Sequence, residues 1–198
     1  MNWWRRLLKR GEMERQFFEC FPGIKDVLEI GSCECGRTQH LSRQARSVIG
    51  IEGRGSNITR GAWIRRLLHL DNVNVFQANV EKGLPPFAVD AIYCVGVLYH
   101  LPRPWELLRA MAALSDNLFL WTHITQTPSE QHDGLDFQRQ PEDVSQPLAG
   151  LTPYSLWGTK DAVLTMLSRC GYDAVRVLNE ERHQKDLLPA IPRSDPIA

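Results

Sequence analysis

Two sets of residues in this chain have the types and spacing to do chemistry. The first is a glycine and an acid: Gly31 closes the apolar run Val27-Leu28-Glu29-Ile30, and Glu52 closes the run Val48-Ile49-Gly50-Ile51 roughly 20 positions later. A glycine after a strand lets a ligand approach the backbone, and an acid at that distance can accept hydrogen bonds from both hydroxyls of a ribose. The second set is Tyr99-His100 together with His123. A histidine exchanges protons near neutral pH, so it can act as a general base.

These residues need elements to hold them. The pattern predicts strands at 27–30, 47–51, 73–77, 89–95 and 117–123, with helices at 37–45, 56–69 and 104–114 between them. Apolar strands alternating with helical patterns predict an α/β fold, a doubly wound and mostly parallel sheet with helices on both faces. In such sheets the ligand lies beyond the carboxyl ends of the strands. The expected cofactor contacts are therefore Glu29, Gly31, Ser32 and Cys33 after the first strand and Glu52 and Gly53 after the second. Asn79 and Val80 follow the third, and Cys94 and Val95 end the fourth. Tyr99, His100 and His123 are the candidate catalytic side chains.

Charge selects among nucleosides. A dinucleotide fingerprint has glycines two and five positions after the first, where this chain has Cys33 and Gly36. Glu29, Glu34 and Glu52 surround the turn and would repel a pyrophosphate, which a helix N-terminus otherwise attracts. A cationic nucleoside fits better, and S-adenosyl-L-methionine carries a sulfonium, an ammonium and no phosphate.

The segments VLEIGSCECGRT (27–38), GIEGRGSNITRGAW (50–63), GVLYHLPRPWELLRAM (96–111) and SLWGTKDAVLTMLSRCGYDAV (155–175) resemble class I S-adenosylmethionine-dependent methyltransferases. The likeness is greatest to bacterial members with a strand–Gly–Ser–x–Glu–Gly–Gly–x–Thr turn, and Cys35 stands where such turns have a glycine. The resemblance implies a Rossmann-like fold, S-adenosylmethionine as cofactor and methyl transfer. It also implies that Asn79 occupies the place of an acid that touches the adenine amino group, and that Tyr-His-Leu shapes the cofactor pocket.

The 198 residues suit one domain, and 43% hydrophobic with 23% charged residues is ordinary for a globular chain. The 23 Lys and Arg balance the 23 Asp and Glu, so no global basic field recruits a polyanion. A small-molecule acceptor is therefore expected; an RNA acceptor, as in a tRNA wobble-uridine-modifying relative, is the alternative. A non-catalytic binding module is a third reading. Five scattered cysteines suit reduced thiols and a cytoplasmic setting, and Cys33-x-Cys35 lacks the second pair of a zinc site, so no metal is expected. No apolar run is long enough to span a bilayer, and the N-terminus lacks a signal-peptide pattern.

Residues 1–22 form an expected N-terminal helical arm, with an amphipathic stretch at 2–10. Residues 125–158 are polar, proline-containing and without clear periodicity, which predicts a structureless lid over the acceptor site. A helix at 159–170, capped by Thr159, and a strand at 174–178 follow. An antiparallel seventh strand has no obvious place.

Overall fold

The computed structural model of the chain describes residues 11–178, so the stretch expected at 2–10 and residues 179–198 lie outside it. Strands β1 (Asp26–Ile30), β2 (Ser47–Glu52), β3 (Val73–Gln77), β4 (Ala91–Val95) and β5 (Leu118–Trp121) form one parallel sheet in the order β3-β2-β1-β4-β5. The chain winds outward from β1 to β3, then returns to the far side of β1. Ile30 is level with both Ile51 and Cys94, so the carboxyl ends of β1, β2 and β4 finish together at this reversal, where a crevice opens.

The central strands β1 and β4 are buried on both faces, and the period of two sorts their side chains. Leu28, Ile30, Ile92 and Cys94 face one core with Leu107, Leu108 and Met111 of α4 (Pro104–Ala112) and Met166 of α5 (Lys160–Arg169). Val27, Val48, Tyr93 and Val95 face the other, with Phe17 of α1 (Glu12–Cys20) and Leu41 of α2 (Thr38–Ser42). Phe17 is edge-on to Tyr93 at 5.4 Å and to Phe119 at 5.8 Å, so α1 is fastened to the sheet by an aromatic knot. Helix α3 (Gly55–Leu67) lies along β2 and β3 and buries little beyond Asn57 and Gly61. Thr159 caps α5 as expected, its hydroxyl accepting from the Ala162 N–H at 3.1 Å.

Two expectations fail. Residues 125–158 are not structureless: β6 (Glu130–His132), β7 (Leu135–Pro141) and β8 (Tyr154–Gly158) make a second, antiparallel sheet. Phe137 is fully buried and Leu135 and Leu156 nearly so, against α4 and α5. The apolar positions are too few and too far apart to give a periodic signal, yet they are the ones that anchor the sheet. Only residues 142–153 leave it as an excursion. The strand expected at 174–178 is also absent. Val175 and Val177 are exposed, and the segment finds no ladder partner among the described residues. No described helix is long and apolar enough to cross a membrane.

Phe137→Ala should cost about 3–5 kcal/mol of unfolding free energy, measured by urea denaturation, because it empties a fully buried aromatic site. A second measurement concerns Glu29, which points into the core beside α2 and accepts a 2.6 Å hydrogen bond from Thr38 Oγ1. Burial raises its pKa to about 7 from 4.5. Its neutral form is thus favoured in the fold, and folding takes up a proton in that window. The stability tied to Glu29 is fully present below 4.5 and is lost as pH rises through about 7. Glu29→Gln, which mimics the neutral acid, should flatten this part of the stability–pH curve and gain at most about 3 kcal/mol on its alkaline side.

Candidate active site

The cleft at the strand reversal is built around Glu52, which is 8% exposed. Its Oε2 accepts from the Cys33 N–H at 2.9 Å and its Oε1 from the Arg54 N–H at 2.7 Å. One carboxylate thus holds the turn after β1 against the turn after β2. Each oxygen keeps a free lone pair for a ligand hydroxyl. Gly31, Gly53, Asn79, Val80 and His100 line the same cleft, as does Cys33.

The turn after β1 has an unusual backbone. Gly31 has φ +78°, and a Cβ there would sit 2.4 Å from Val97, so glycine is required. Cys33 and Cys35 also lie in the left-handed region, at φ 51° and 63°, at about 1–2 kcal/mol each for a side chain. Cys35 does not enter the cleft. It is fully buried, and its Sγ lies 3.1 Å from where a Cβ on Gly61 would stand, so Gly61 of α3 makes room for it. Of the two cysteines it is Cys33 that lines the cleft, and burial raises the pKa of its thiol.

Several expected contacts lie elsewhere. Glu29 is turned into the core beside Thr38. Ser32 packs on Gly50 of β2, where an added Cβ would stand 2.9 Å from its own. Cys94 and Val95 are interior residues of β4 on opposite faces. For Glu29, Cys94 and Val95 the physical reason is that a strand's last residues still alternate into the two cores, whereas Gly31 and Gly96, just past the ends, and Glu52, at the end of β2, line the crevice. Tyr99 and His123 are not cleft residues either. Their rings lie 4.2 Å apart, His123 stacks on Trp157 at 4.8 Å, and Tyr99 lies 4.2 Å from the His100 ring. Burial, then the nearby Glu142 carboxylate, raises the Tyr99 pKa.

Other residues complete the cleft without having been singled out in the sequence. Residues 147–151 form its outer wall, and Arg54 holds them there. The guanidinium donates to the carbonyls of Val144 at 2.9 Å, Ala149 at 3.0 Å and Gly150 at 2.8 Å. Asn57 adds a long contact to the Pro147 carbonyl at 3.4 Å. The signal available was Leu148-Ala149-Gly150-Leu151, a short apolar run inside a polar segment. Across the cleft, Asn79 Oδ1 accepts from the Glu81 N–H at 2.9 Å, capping a short turn and keeping one lone pair. Glu81 Oε1 is buried without a partner, and burial raises this acid's pKa. Among the described residues, no group of three or more His, Cys, Asp or Glu side chains is placed to hold a metal ion.

Comparison with known proteins bears on this cleft. The "Methyltransferase domain" family profile matches residues 28–115. The N-terminal domain of EvdMO1, crystallised with SAH bound, is 30% identical at a TM-score of 0.81, covering 86% of this chain and 74% of that one. The same domain has also been crystallised in the presence of SAH and D-fucose. The tRNA U34 carboxymethyltransferase of Actinobacillus pleuropneumoniae is 30% identical over 97 residues, 46% of this chain. That of Histophilus somni is 31% identical over 87 residues, 41% of this chain. The matches span only 29% and 26% of those two curated relatives. The parallel sheet with its glycine turn and strand-end acid, and the relation to the SAH-bound domain over most of both chains, have one meaning: the chain belongs to the class I S-adenosylmethionine-dependent methyltransferase family.

Proposed function

We propose that the cleft binds S-adenosyl-L-methionine and that the protein transfers its methyl group to a small-molecule acceptor. The observation that carries this reading is Glu52, a carboxylate fixed by two backbone amides with lone pairs left over at the cleft. The residues present fit the cofactor. Glu52 would hold the ribose hydroxyls. Asn79 Oδ1 and the unpartnered Glu81 Oε1 offer acceptors to an adenine amino group. Arg54 directs three of its N–H donors to backbone carbonyls of the strap, which holds its guanidinium fork there and away from a pyrophosphate. The cofactor, when bound, supplies an electrophilic methyl carbon. What this chain contributes is position: methyl transfer disperses charge, so holding the two reactants in line gives much of the rate.

Residues 142–153 act in this reading as a strap that closes the cleft and contributes to acceptor choice, fastened by Arg54. The rest of the 125–158 segment is the sheet that anchors it. A second reading, an RNA acceptor, is supported by the likeness to the tRNA-modifying relatives. It is weakened by the balanced charge and by two of the three arginines of α3. Arg60 pairs with Glu34 and Asn57, and Arg65 bonds the Val73 carbonyl. Methyl label appearing in tRNA, with salt-dependent tRNA binding, would favour that second reading.

Glu52→Ala should weaken S-adenosylhomocysteine binding by about 2–3 kcal/mol in titration calorimetry, the range for hydrogen bonds to a charged group. Unchanged affinity would remove Glu52 from the ribose site, and NAD affinity without any response to S-adenosylhomocysteine would remove the whole reading. Arg54→Ala frees three carbonyls of the strap. Hydrogen exchange at residues 143–151 should then speed up by about 10- to 100-fold, with weaker S-adenosylhomocysteine binding and an unchanged exchange rate in the five-stranded sheet.

A further inference from the structure

His100 is the one titratable side chain of the cleft wall whose ring is held from behind by a carboxylate. Its Nδ1 lies 2.8 Å from Oε1 of Glu142, at the root of the strap. Glu142 is nearly buried, its side chain 8% exposed, yet every oxygen is used. Oε1 also accepts from Ser155 Oγ of β8 at 2.8 Å, and Oε2 accepts from the Gly150 N–H at 2.9 Å. Burial alone would raise this acid, but the bonds from Gly150, His100 and Ser155 outweigh it and hold its pKa below the ordinary range. An ionised carboxylate only accepts, so the proton of the pair sits on Nδ1 of His100. In the neutral ring, Nε2 then carries the lone pair, on a residue that lines the cleft. The strap is fitted to this arrangement: a Cβ on Gly150 would stand 2.5 Å from the His100 carbonyl oxygen. The Tyr99 ring, 4.2 Å from that of His100, limits its rotation on another side.

We infer that Glu142 is a positioning residue that aims His100 as the general base for a hydroxyl acceptor, making the protein an O-methyltransferase. This rests on the reading of the cleft as an S-adenosylmethionine site. The chemistry separates acceptor classes. An amine is protonated at neutral pH but can give that proton to solvent before it attacks as the free base, so its transfer step does not need a fixed base. An aliphatic or phenolic hydroxyl holds its proton at neutral pH and must lose it as the new bond forms, which is where a fixed imidazole helps. The acceptor oxygen bonds to the methyl carbon while the carbon–sulfur bond breaks, its electron pair staying on sulfur. The hydroxyl proton passes to Nε2 of His100. The products are a methyl ether, S-adenosylhomocysteine and an imidazolium, which Glu142 stabilises until solvent removes the proton. Because Gly150 and His100 share one carboxylate, the base is aimed when the strap is seated.

The test uses the whole chain. In protein labelled with 15N-histidine, assigned with His100→Gln, His100 at alkaline pH should show a protonated Nδ1 and a bare Nε2. In Glu142→Gln that tautomer should no longer dominate, while calorimetric affinity for S-adenosylhomocysteine stays within about twofold. With methyl-labelled S-adenosylmethionine, D-fucose, glycerol and catechol serve as hydroxyl probes, and phenethylamine and total tRNA as nitrogen and RNA probes. Label should enter a hydroxyl probe as a methyl ether. His100→Gln should lower kcat about 100-fold and Glu142→Gln about tenfold, with KM little changed and Glu142→Asp recovering part of the loss. The inference is overturned by label on amine or RNA alone, or by no ether from a protein that binds S-adenosylhomocysteine. It is equally overturned by variants that keep full kcat, or by a Glu142→Gln defect confined to cofactor affinity with the tautomer intact. Failure of the wild type to bind S-adenosylhomocysteine would instead overturn the reading of the cleft itself.

Discussion

Two backbone amides from different turns converge on the carboxylate of Glu52, and the cleft depends on that convergence. Cys33 follows β1 and Arg54 follows β2, so the acid sets the distance between the two turns that flank the sheet reversal. The turn after β1 has reason to need this brace. Its two left-handed cysteines carry a conformational penalty that glycines would not, and a fixed bond from Cys33 N–H to a charged acceptor offsets part of it. The buried Sγ of Cys35 against Gly61 ties the same turn to α3. A ligand meeting Glu52 therefore meets a group whose orientation was settled by folding.

A second carboxylate repeats this logic on the outer wall. Glu142 gathers the Gly150 N–H, the Ser155 hydroxyl and the His100 ring, so strap, antiparallel sheet and the turn after β4 meet at one side chain. Arg54 then fastens the strap from the inner side through three carbonyls. Arg54, two residues past Glu52, and Glu142, at the root of the strap, thus fasten it from two sides.

The parallel sheet, its glycine turn and the strand-end acid could be read from the sequence because each leaves a local signal: continuous apolar runs, Gly31, and Glu52 at the expected spacing. The second sheet could not. Its anchors Leu135, Phe137 and Leu156 are separated by polar residues that face solvent or the strap, and their partners in α4 and α5 are distant in sequence. Strand-end counting also named Ser32, Cys94 and Val95, because it ignores which face each residue takes. Glu142 was invisible for a different reason. Nothing in a glutamate within a polar stretch says that a histidine 42 positions earlier will be its partner.

The electrostatic case for a cationic nucleoside also changes its footing. The acids counted from the sequence were Glu29, Glu34 and Glu52. Glu34 is paired with Arg60, and Glu29 is buried on the far side of β1 with its pKa raised to about 7, so neither gives the cleft a full charge. Glu52 supplies the negative charge of the wall instead, facing Glu81, whose pKa burial raises, while Arg54, the only guanidinium lining the cleft among the described residues, directs three of its donors to the strap. The preference for a ligand with a sulfonium and an ammonium survives, carried by the one predicted acid that lines the cleft, Glu52. A diphosphate would find the same glycine turn, but it would face the Glu52 carboxylate at close range, where a partly buried setting screens little of the repulsion.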